Sequence, residues 1–312
     1  MPITQKDDYL FNPVELAYYS SKVMAKQFIT AQYLNRQVVS APTVLTYLKD
    51  GEKQGELISS KNKKPRPIAE GSHLTEIRTS EKFGETKNIT TRGFKLVVTD
   101  QQMNNDAFDY MSEIRDMQYT LARIVETEAI YALVNEATRK APTIKGSWSD
   151  DGKTMKDIQK DLVDLQEAYY TGDDYDHNLN IMFYSPTTFS EILKELNFDV
   201  SRYKSEEQTG YNNFTPNAPL NFLGIDHLQS KFVPKGEALG WDRRVPPATI
   251  YYGVDSTLGT PDYYAGLEPY APLVRTSVER RGGIEKETEI QMAVSFAVTV
   301  NRPSSIFHVK GL

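Results

Sequence analysis

Ile290-Gln-Met-Ala-Val-Ser-Phe-Ala-Val-Thr-Val300, close to the end of the chain, is the stretch from which the architecture can be worked out. Its apolar residues recur at every second position and share one face of an extended chain, namely Ile290, Met292, Val294, Phe296, Val298 and Val300. The opposite face holds Gln291, Ser295 and Thr299. This period of two predicts one long β-strand with one face buried.

Two segments far upstream are predicted to pack against this strand. The first is Thr90–Thr99, and the second is a long helix over Asp106–Arg139 with Asn104 or Asn105 as its N-cap and Pro142 beyond its end. The apolar residues of the helix recur at steps of three and four, at Phe108, Met111, Ile114, Leu121, Val125, Ala129 and Ala132. At 1.5 Å per residue this spine helix is about 50 Å long. A late strand packed on an early helix indicates an α+β fold.

Further elements follow the spine helix. Apolar spacing predicts a second helix over Thr154–Tyr170, with one apolar stripe and acidic faces elsewhere. A short buried strand is predicted at Asn180–Tyr184, and Ser185-Pro186 then begins a helix with an N-cap serine and a first-turn proline. Polar residues 199–219 predict an exposed loop, and short strands are expected near Leu228, at 248–252 and at 263–265.

Composition excludes several classes of protein. The formal net charge is −6 and the pI is about 5.4, so the chain lacks the basic surface with which proteins wrap nucleic acid. It has no cysteine, hence no disulfide and no thiolate metal site. The start of the chain lacks the apolar core of a secretory signal, and no apolar run approaches the ~18 residues that span a bilayer. We therefore expect synthesis in a cytoplasm and no membrane association.

The segment Lys53–Lys95 differs from the rest of the chain. It contains ten lysine and arginine residues against five glutamates, with glycine and proline punctuation and few large apolar residues. Such a segment cannot bury a core of its own. Two interpretations remain open, a long two-stranded excursion and a disordered linker; the alternation at 75–79 and 94–98 favours strands.

Basic residues in this segment are the candidate contact residues. Lys61-Asn-Lys-Lys-Pro-Arg66 resembles a nucleic-acid patch, but no aromatic residue is interleaved for base stacking. In an acidic protein, the favoured interpretation is a basic loop that meets acidic surfaces of neighbouring copies. The predicted contact residues are Lys61, Lys63, Lys64, Arg66, Arg78 and Lys82.

No enzyme motif stands out. The chain lacks a phosphate-binding P-loop, a dinucleotide glycine fingerprint and a nucleophile elbow. His73, His177, His227 and His308 are scattered, so neither a metal nor a cofactor is expected. Asp174–Asn178 begins like a calcium loop without its later ligands, and the acidic residues at 150–176 favour a solvated face over a paired-carboxylate active site.

The order of these parts resembles the major capsid proteins of tailed phages with the Hong Kong-97-type capsid fold, a family that shares its fold with encapsulins. The resemblance rests on a loosely helical N-terminal stretch at Pro13–Arg36, the basic excursion, the spine helix, the piece Gly224–Gly236 and the closing strand. It implies five regions: an N-terminal arm (1–52), an extended β-hairpin loop (53–95), a peripheral domain with the spine helix (96–153), an axial domain (154–264) and a peripheral return strand (265–312).

The resemblance also implies a function. It is that of a structural protein and not an enzyme, a capsid subunit that self-assembles into an icosahedral shell around the phage genome. Hexamers and pentamers of the chain itself, portal and scaffolding proteins, and non-specifically packaged double-stranded DNA are the implied partners. The location is the virion, after assembly in the host cytoplasm. An encapsulin-type nanocompartment and a carbohydrate-active enzyme remain as alternatives.

Overall fold

The computed structural model describes residues 12–40, 44–50, 82–103, 109–142, 144, 146–148, 154–171, 178–195, 220–254, 267, 269, 271–281 and 287–312. The helices in these residues are α1 (Pro13–Ala25), α2 (Asp100–Met103), α3 (Tyr110–Glu136), α4 (Met155–Thr171) and α5 (Pro186–Glu195). The strands are β1 (Asn35–Ser40), β2 (Val44–Asp50), β3 (Lys82–Asn88), β4 (Thr90–Thr99), β5 (Arg139–Lys140), β6 (Ile181–Tyr184), β7 (Leu220–Phe222), β8 (Ile225–Gln229), β9 (Glu237–Trp241), β10 (Ala248–Val254), β11 (Val274–Arg281), β12 (Glu287–Val300) and β13 (Phe307–Lys310).

The chain divides into two compact units, each built from segments that are distant in sequence. The first unit holds residues 1–47, 86–129 and 248–299, and the second holds 48–85, 130–247 and 300–312. Helices and strands are mixed in both units, so the predicted α+β class is confirmed. The five predicted regions, with boundaries at residues 52, 95, 153 and 264, stay a prediction.

The predicted closing strand is confirmed as β12, at the centre of the sheet of the first unit. Its early half pairs antiparallel with β11 on one side, and residues 287–296 pair antiparallel with β4 on the other, from Thr99↔Glu287 to Thr90↔Phe296. The sheet order continues from β12 to β10, which pairs parallel with β1. The pairing of Thr90–Thr99 with this strand, expected from the sequence, is therefore also confirmed.

One expectation about β12 is wrong in its second half. Gln291 is exposed as predicted, but every residue from Val294 to Val300 is buried. The alternation assigns Ser295 and Thr299 to a solvent-exposed face, but both are buried and their hydroxyl groups form hydrogen bonds inside the protein. The Ser295 hydroxyl lies 2.7 Å from the Thr91 hydroxyl, and the Thr299 hydroxyl donates to the carbonyl of Thr249 at 3.4 Å. Burial of both faces is possible because the polar side chains find partners on neighbouring strands.

The spine helix is confirmed as α3, about 40 Å long at 1.5 Å per residue. It is shorter than predicted at both ends. It begins at Tyr110, where the Asp109 carboxylate accepts from the backbone N–H of Met111 (3.1 Å) and Ser112 (3.2 Å), so the cap is not Asn104 or Asn105. It ends at Glu136, because the Thr138 N–H donates to the carbonyl of Pro303 instead of continuing the helix. The buried stripe includes the predicted Ile114, Leu121, Val125, Ala129 and Ala132.

The second unit is a sheet in the order β5-β13-β9-β6-β8-β7 with α4 and α5 packed on it. The predicted helix stripe is confirmed at Ile158, Leu162, Leu165 and Tyr169, which are all buried. The predicted strand β6 is fully buried, and Ser185 caps α5 by accepting from the Thr188 N–H at 3.3 Å. Residues 199–219 and 263–265, for which a loop and a strand are expected, lie outside the described residues.

Candidate functional site

The base of the basic excursion is held together by a two-stranded sheet. Strands β2 and β3, which precede and follow residues 51–81 in the sequence, pair with each other. Lys95 and its neighbours, which the sequence assigned to the excursion, instead continue β4 in the sheet of the first unit. The two-stranded form was expected for Lys53–Lys95, whereas β2 precedes this range and residues 53–81 lie outside the described part of the chain, so that expectation stays a prediction.

Lys49 forms a charged junction at this base. Its ammonium lies 2.8 Å from the carboxylate of Glu136 at the end of α3 and 3.2 Å from that of Glu85 in β3. Burial by itself lowers the pKa of Lys49, but hydrogen bonds and charges from Glu136 and Glu85 outweigh it, and the pKa lies above its usual value. Lys49 is thus charged at neutral pH and joins the excursion to the spine helix. Lys49 could not be predicted from the sequence, because nothing local relates β2 to the end of α3.

The predicted contact residues fall mostly outside the described part of the chain. Lys61, Lys63, Lys64, Arg66 and Arg78 are in this group, and Lys82 begins β3 at the base of the excursion. Their role in contacts between copies stays a prediction.

The described part of the predicted N-terminal arm is anchored in the first unit by a buried glutamate. The Glu126 side chain of α3 is 2% exposed and accepts hydrogen bonds from three successive backbone N–H groups. The distances to Oε1 are 2.6 Å from Ile29, 3.0 Å from Thr30 and 3.0 Å from Ala31. Burial raises the pKa of Glu126, and these backbone bonds act in the opposite direction. One carboxyl group therefore satisfies the start of a 3-10 turn more than ninety residues upstream.

Two further polar contacts hold the same N-terminal stretch. Gln118 of α3 donates to the hydroxyl of Ser20 at 2.8 Å, and the hydroxyl of Ser21 accepts from the backbone N–H of Val274 in β11 at 3.2 Å. Neither Gln118 nor Glu126 was predicted from the sequence. Glu126 could have been flagged, because it shares a helical face with the apolar residues Ala122 and Ala129 and a charged group there requires a partner.

A cleft marks the surface of the second unit. It lies between α4 and the tip of the β7–β8 hairpin, and its lining residues are Val163, Gln166, Glu167, Tyr170, Asn178, Leu179, Asn180, Gly224 and Arg244. Its edge is fixed by Asp242, whose carboxylate accepts from the Asn178 backbone N–H (3.1 Å) and the Arg244 guanidinium (2.6 Å). Burial alone would raise the pKa of Asp242, but the bonds from Arg244, Asn178 and Asn180 lower it to about 2.

The described histidines have structural partners. The His227 Nε2 lies 3.2 Å from the carbonyl of Phe222, which can only accept, so Nδ1 accepts from the Tyr184 hydroxyl at 2.9 Å. Burial lowers the pKa of His227 to about 4 and raises that of Tyr184, so both are neutral at pH 7. The His308 Nε2 is 2.7 Å from the carboxylate of Glu237.

The residues that the structure describes contain neither a metal-binding cluster nor a membrane-spanning helix. Among those residues no group of three histidine, aspartate or glutamate side chains is placed to hold a metal ion. None of the helices there has the length and apolar character needed to cross a membrane. His73, His177 and most of the calcium-like stretch at 174–178 lie outside them.

Three solved structures that are similar to this chain are a virus-like particle, a phage capsid and an encapsulin. The virus-like particle from Pyrococcus furiosus is similar over 94% of this chain and 96% of that one, at 10% identity and a TM-score of 0.55. The capsid of cyanophage P-SCSP1u is similar over 89% and 86%, at 12% identity and 0.55. The SrpI encapsulin from Synechococcus elongatus is similar over 92% and 89%, at 12% identity and 0.52. The fold is thus the one shared by phage capsids and encapsulins, as the resemblance implied.

The family itself is identified by sequence. The model of the family described as phage capsid protein matches residues 84–309, well over half of the chain, so the protein belongs to the phage capsid protein family. No curated protein sequence matches it. The expected function is confirmed at this level: the protein is a structural subunit of a bacteriophage capsid, and its place is the virion.

Proposed function

We propose that this protein is the major capsid subunit of a tailed phage and self-assembles into an icosahedral shell of hexamers and pentamers around the phage genome. The observation that carries the proposal is the family match over residues 84–309, on a fold in which a late strand, β12, pairs with an early one, β4. Scaffolding and portal proteins are the further partners we propose, with assembly in the host cytoplasm and packaged double-stranded DNA bound without sequence preference.

The contacts between copies are proposed to run through the basic excursion. Lys49 in β2 forms ion pairs with Glu85 in β3 and with Glu136 at the end of the spine helix. A force that a neighbouring copy exerts on the excursion is therefore transmitted to the spine helix. Each contact is weak, because exposed ion pairs contribute about 0–1 kcal/mol. Many identical contacts per subunit make the shell stable, since every copy engages several neighbours at once.

An encapsulin shell is the alternative with the same fold, because an encapsulin and a virus-like particle are among the similar structures. The family match favours the phage capsid. The two proposals differ in content: a phage shell encloses DNA, and an encapsulin encloses a cargo enzyme. Neighbouring genes distinguish them too, since terminase, portal and tail genes accompany a phage capsid gene. The carbohydrate-active enzyme receives no support from the described residues.

The test is expression of the full chain alone and with its neighbouring scaffolding gene, followed by sedimentation and negative-stain electron microscopy. We expect closed particles of uniform diameter. A protein that stays monomeric in both expressions, at concentrations where it is folded, would contradict the proposal. The matched variant replaces residues 53–79 by a short Gly/Ser linker and keeps β2 and β3; it should fold and form no stable particles.

A further inference from the structure

Two buried hydroxyl groups of the first unit form no hydrogen bond with any residue that the structure describes. They belong to Tyr252 of β10 and to Thr30 of the N-terminal stretch, and both side chains are fully buried. Burying a polar group costs free energy unless its hydrogen bonds are made, so unpaired hydroxyl groups in a protein interior are rare. Two of them in one unit indicate that a small polar ligand serves both.

Both hydroxyl groups lie near the buried carboxyl group of Glu126 in α3. The Thr30 backbone N–H is 3.0 Å from Glu126 Oε1 and 3.1 Å from Oε2. Burial raises the pKa of Glu126, and the Thr30 hydroxyl is among the groups that oppose this increase. Burial also raises the pKa of Tyr252, and the charge of Glu126 adds to that increase. The three groups therefore belong to one buried polar site, although Tyr252 and Glu126 form no direct hydrogen bond.

One oxygen of the Glu126 carboxyl group can accept a further hydrogen bond. Oε1 accepts from the backbone N–H groups of Ile29, Thr30 and Ala31. Within the described part of the chain, Oε2 accepts only from the Thr30 N–H, which it shares with Oε1. Each oxygen of a carboxylate has about two acceptor positions, so Oε2 has room for another donor. The site thus offers one acceptor oxygen and two hydroxyl groups, each of which can donate or accept.

A water molecule is the ligand that matches these groups. Buried waters typically make about three hydrogen bonds to polar groups that the protein itself leaves unpaired. Here a water can donate to Glu126 Oε2 and to the Thr30 hydroxyl, and it can accept from the Tyr252 hydroxyl. A bridging water also connects polar groups that lie too far apart for a direct hydrogen bond. A neutral ligand fits better than a cation, because three N–H dipoles already point at the single carboxyl group.

We propose that one ordered water molecule is bound between Glu126, Thr30 and Tyr252 and links the N-terminal stretch to the spine helix and to β10. These three segments are distant in the sequence and belong to the first unit. The water completes the anchoring of the N-terminal stretch that the Glu126 carboxyl group begins. Because the site lies within one subunit, its test does not depend on the formation of shells.

The test uses Tyr252→Phe, which removes one partner of the water and keeps the aromatic ring. Amide hydrogen exchange of residues 29–31, whose N–H groups donate to Glu126, reports on opening of the site. Their protection factors should fall about fivefold, as expected for the loss of one buried hydrogen bond. The matched control is Tyr251→Phe: Tyr251 is half-buried and lies on the opposite face of β10, so protection should stay within about twofold.

Two results would overturn the inference. If the Tyr252 hydroxyl has no partner, its removal relieves an unpaired buried group, and protection in Tyr252→Phe stays the same or rises. The second test needs no substitution and holds even if the variant fails to fold. A density map of the wild-type protein, at a resolution that shows ordered water, should contain a peak about 2.7–3.2 Å from Tyr252 Oη, Thr30 Oγ1 and Glu126 Oε2. A map without this peak overturns the inference as well.

Discussion

Buried polar side chains account for much of how the chain is held at the level of single residues. The Glu126 carboxylate accepts hydrogen bonds from three backbone N–H groups, and His227 links the Tyr184 hydroxyl to the Phe222 carbonyl inside the second unit. Burying a polar group costs free energy unless its hydrogen bonds are made. Each of these residues therefore stabilises one specific arrangement and penalises alternatives.

Two substitutions at Glu126 distinguish the contribution of its hydrogen bonds to stability from that of its side-chain volume. In Glu126→Ala three N–H groups lose their acceptor, each worth about 1–3 kcal/mol when buried, so we expect a fall in stability of at least about 3 kcal/mol. Glu126→Gln keeps one acceptor oxygen and should lose less. Thermal unfolding by circular dichroism measures both, with Glu128→Ala as control, because Glu128 is half-buried on the same helix and its ion pair with Arg92 contributes only about 0–1 kcal/mol. Equal melting temperatures for Glu126→Ala and the control would contradict the anchoring role.

His227 makes the second unit sensitive to acid. Its pKa is about 4 in the folded protein against 6.5 as the ordinary value, so the unfolded chain binds the extra proton between these pH values. Stability from this residue is complete above pH 6.5 and is lost as the pH falls towards 4, by about 3 kcal/mol in total. The two tryptophans, Trp148 and Trp241, lie in the second unit, so their fluorescence in urea reports on it.

The comparison is between the wild type and His227→Gln in the same urea series at pH 7, 6, 5 and 4.5. The variant lacks the titrating ring, so its stability should fall less over this range, whatever it loses at pH 7. Parallel curves for the two proteins would show that His227 does not titrate in this window.

At the scale of elements, β12 organises the sheet of the first unit, because other strands pair along both of its edges. The approach of β4 is close: a Cβ added at Gly93 would lie 2.8 Å from the carbonyl oxygen of Met292 and 2.9 Å from the Cβ of Ala293. Across the strand, a Cβ at Gly253 would lie 3.3 Å from Ile89 and 3.4 Å from Ser295. Glycine is thus needed more strictly at 93 than at 253.

Alanine at these two glycines should therefore give graded effects. In Gly93→Ala the new methyl group would overlap the Met292 carbonyl oxygen and the Ala293 Cβ, so β4 and β12 must move apart. The free energy of unfolding should therefore fall by about 1–3 kcal/mol, as it does in overpacked cores. Gly253→Ala meets only side-chain atoms, at longer distances, and should cost less. Thermal unfolding of both variants measures this difference: the melting temperature of Gly93→Ala should be the lower of the two. The reverse order would mean that β4 does not approach β12 as closely as described.

The elements that sequence periodicity revealed are those with a local signal. The alternation in β12 and the three-four spacing in α3 are each complete within one segment, so both were found. The burial of Ser295 and Thr299 was not, because their partners Thr91 and Thr249 are far away in sequence. Lys49 was missed for the same reason. At Glu126 the local pattern, a charged residue on the helical face of Ala122 and Ala129, indicates that a partner is needed but does not identify the backbone of residues 29–31 as that partner.

At the scale of the whole molecule, the chain is acidic overall and basic in one segment. The net charge of −6 makes copies repel one another, while Lys61–Arg66 supplies local attraction. At roughly 1 M salt the screening length falls to about 3 Å, and attraction between exposed charges is largely lost. Assembly from unassembled subunits should therefore slow at high salt, as light scattering over a salt series would detect.

A matched pair of variants assigns this salt effect to the basic segment. Alanine at Lys61, Lys63, Lys64 and Arg66 should slow assembly at low salt and remove most of the salt dependence. Alanine at Lys156 and Lys160, which are exposed on α4, removes positive charge elsewhere and should leave the dependence in place. Wild-type assembly that is unchanged or faster at high salt would mean that apolar contacts dominate.

The central claim is that copies of this chain build a closed shell and that the basic excursion of each copy contacts a neighbour. The measurement that tests it most directly is a cryo-electron microscopy reconstruction of the assembled particle, at a resolution that traces the chain. We expect icosahedral symmetry, β12 paired with β4 and β11 within each subunit, and residues 61–66 against acidic side chains of an adjacent copy. A particle in which these residues contact only their own subunit, or a chain that yields no closed particle, would contradict the account.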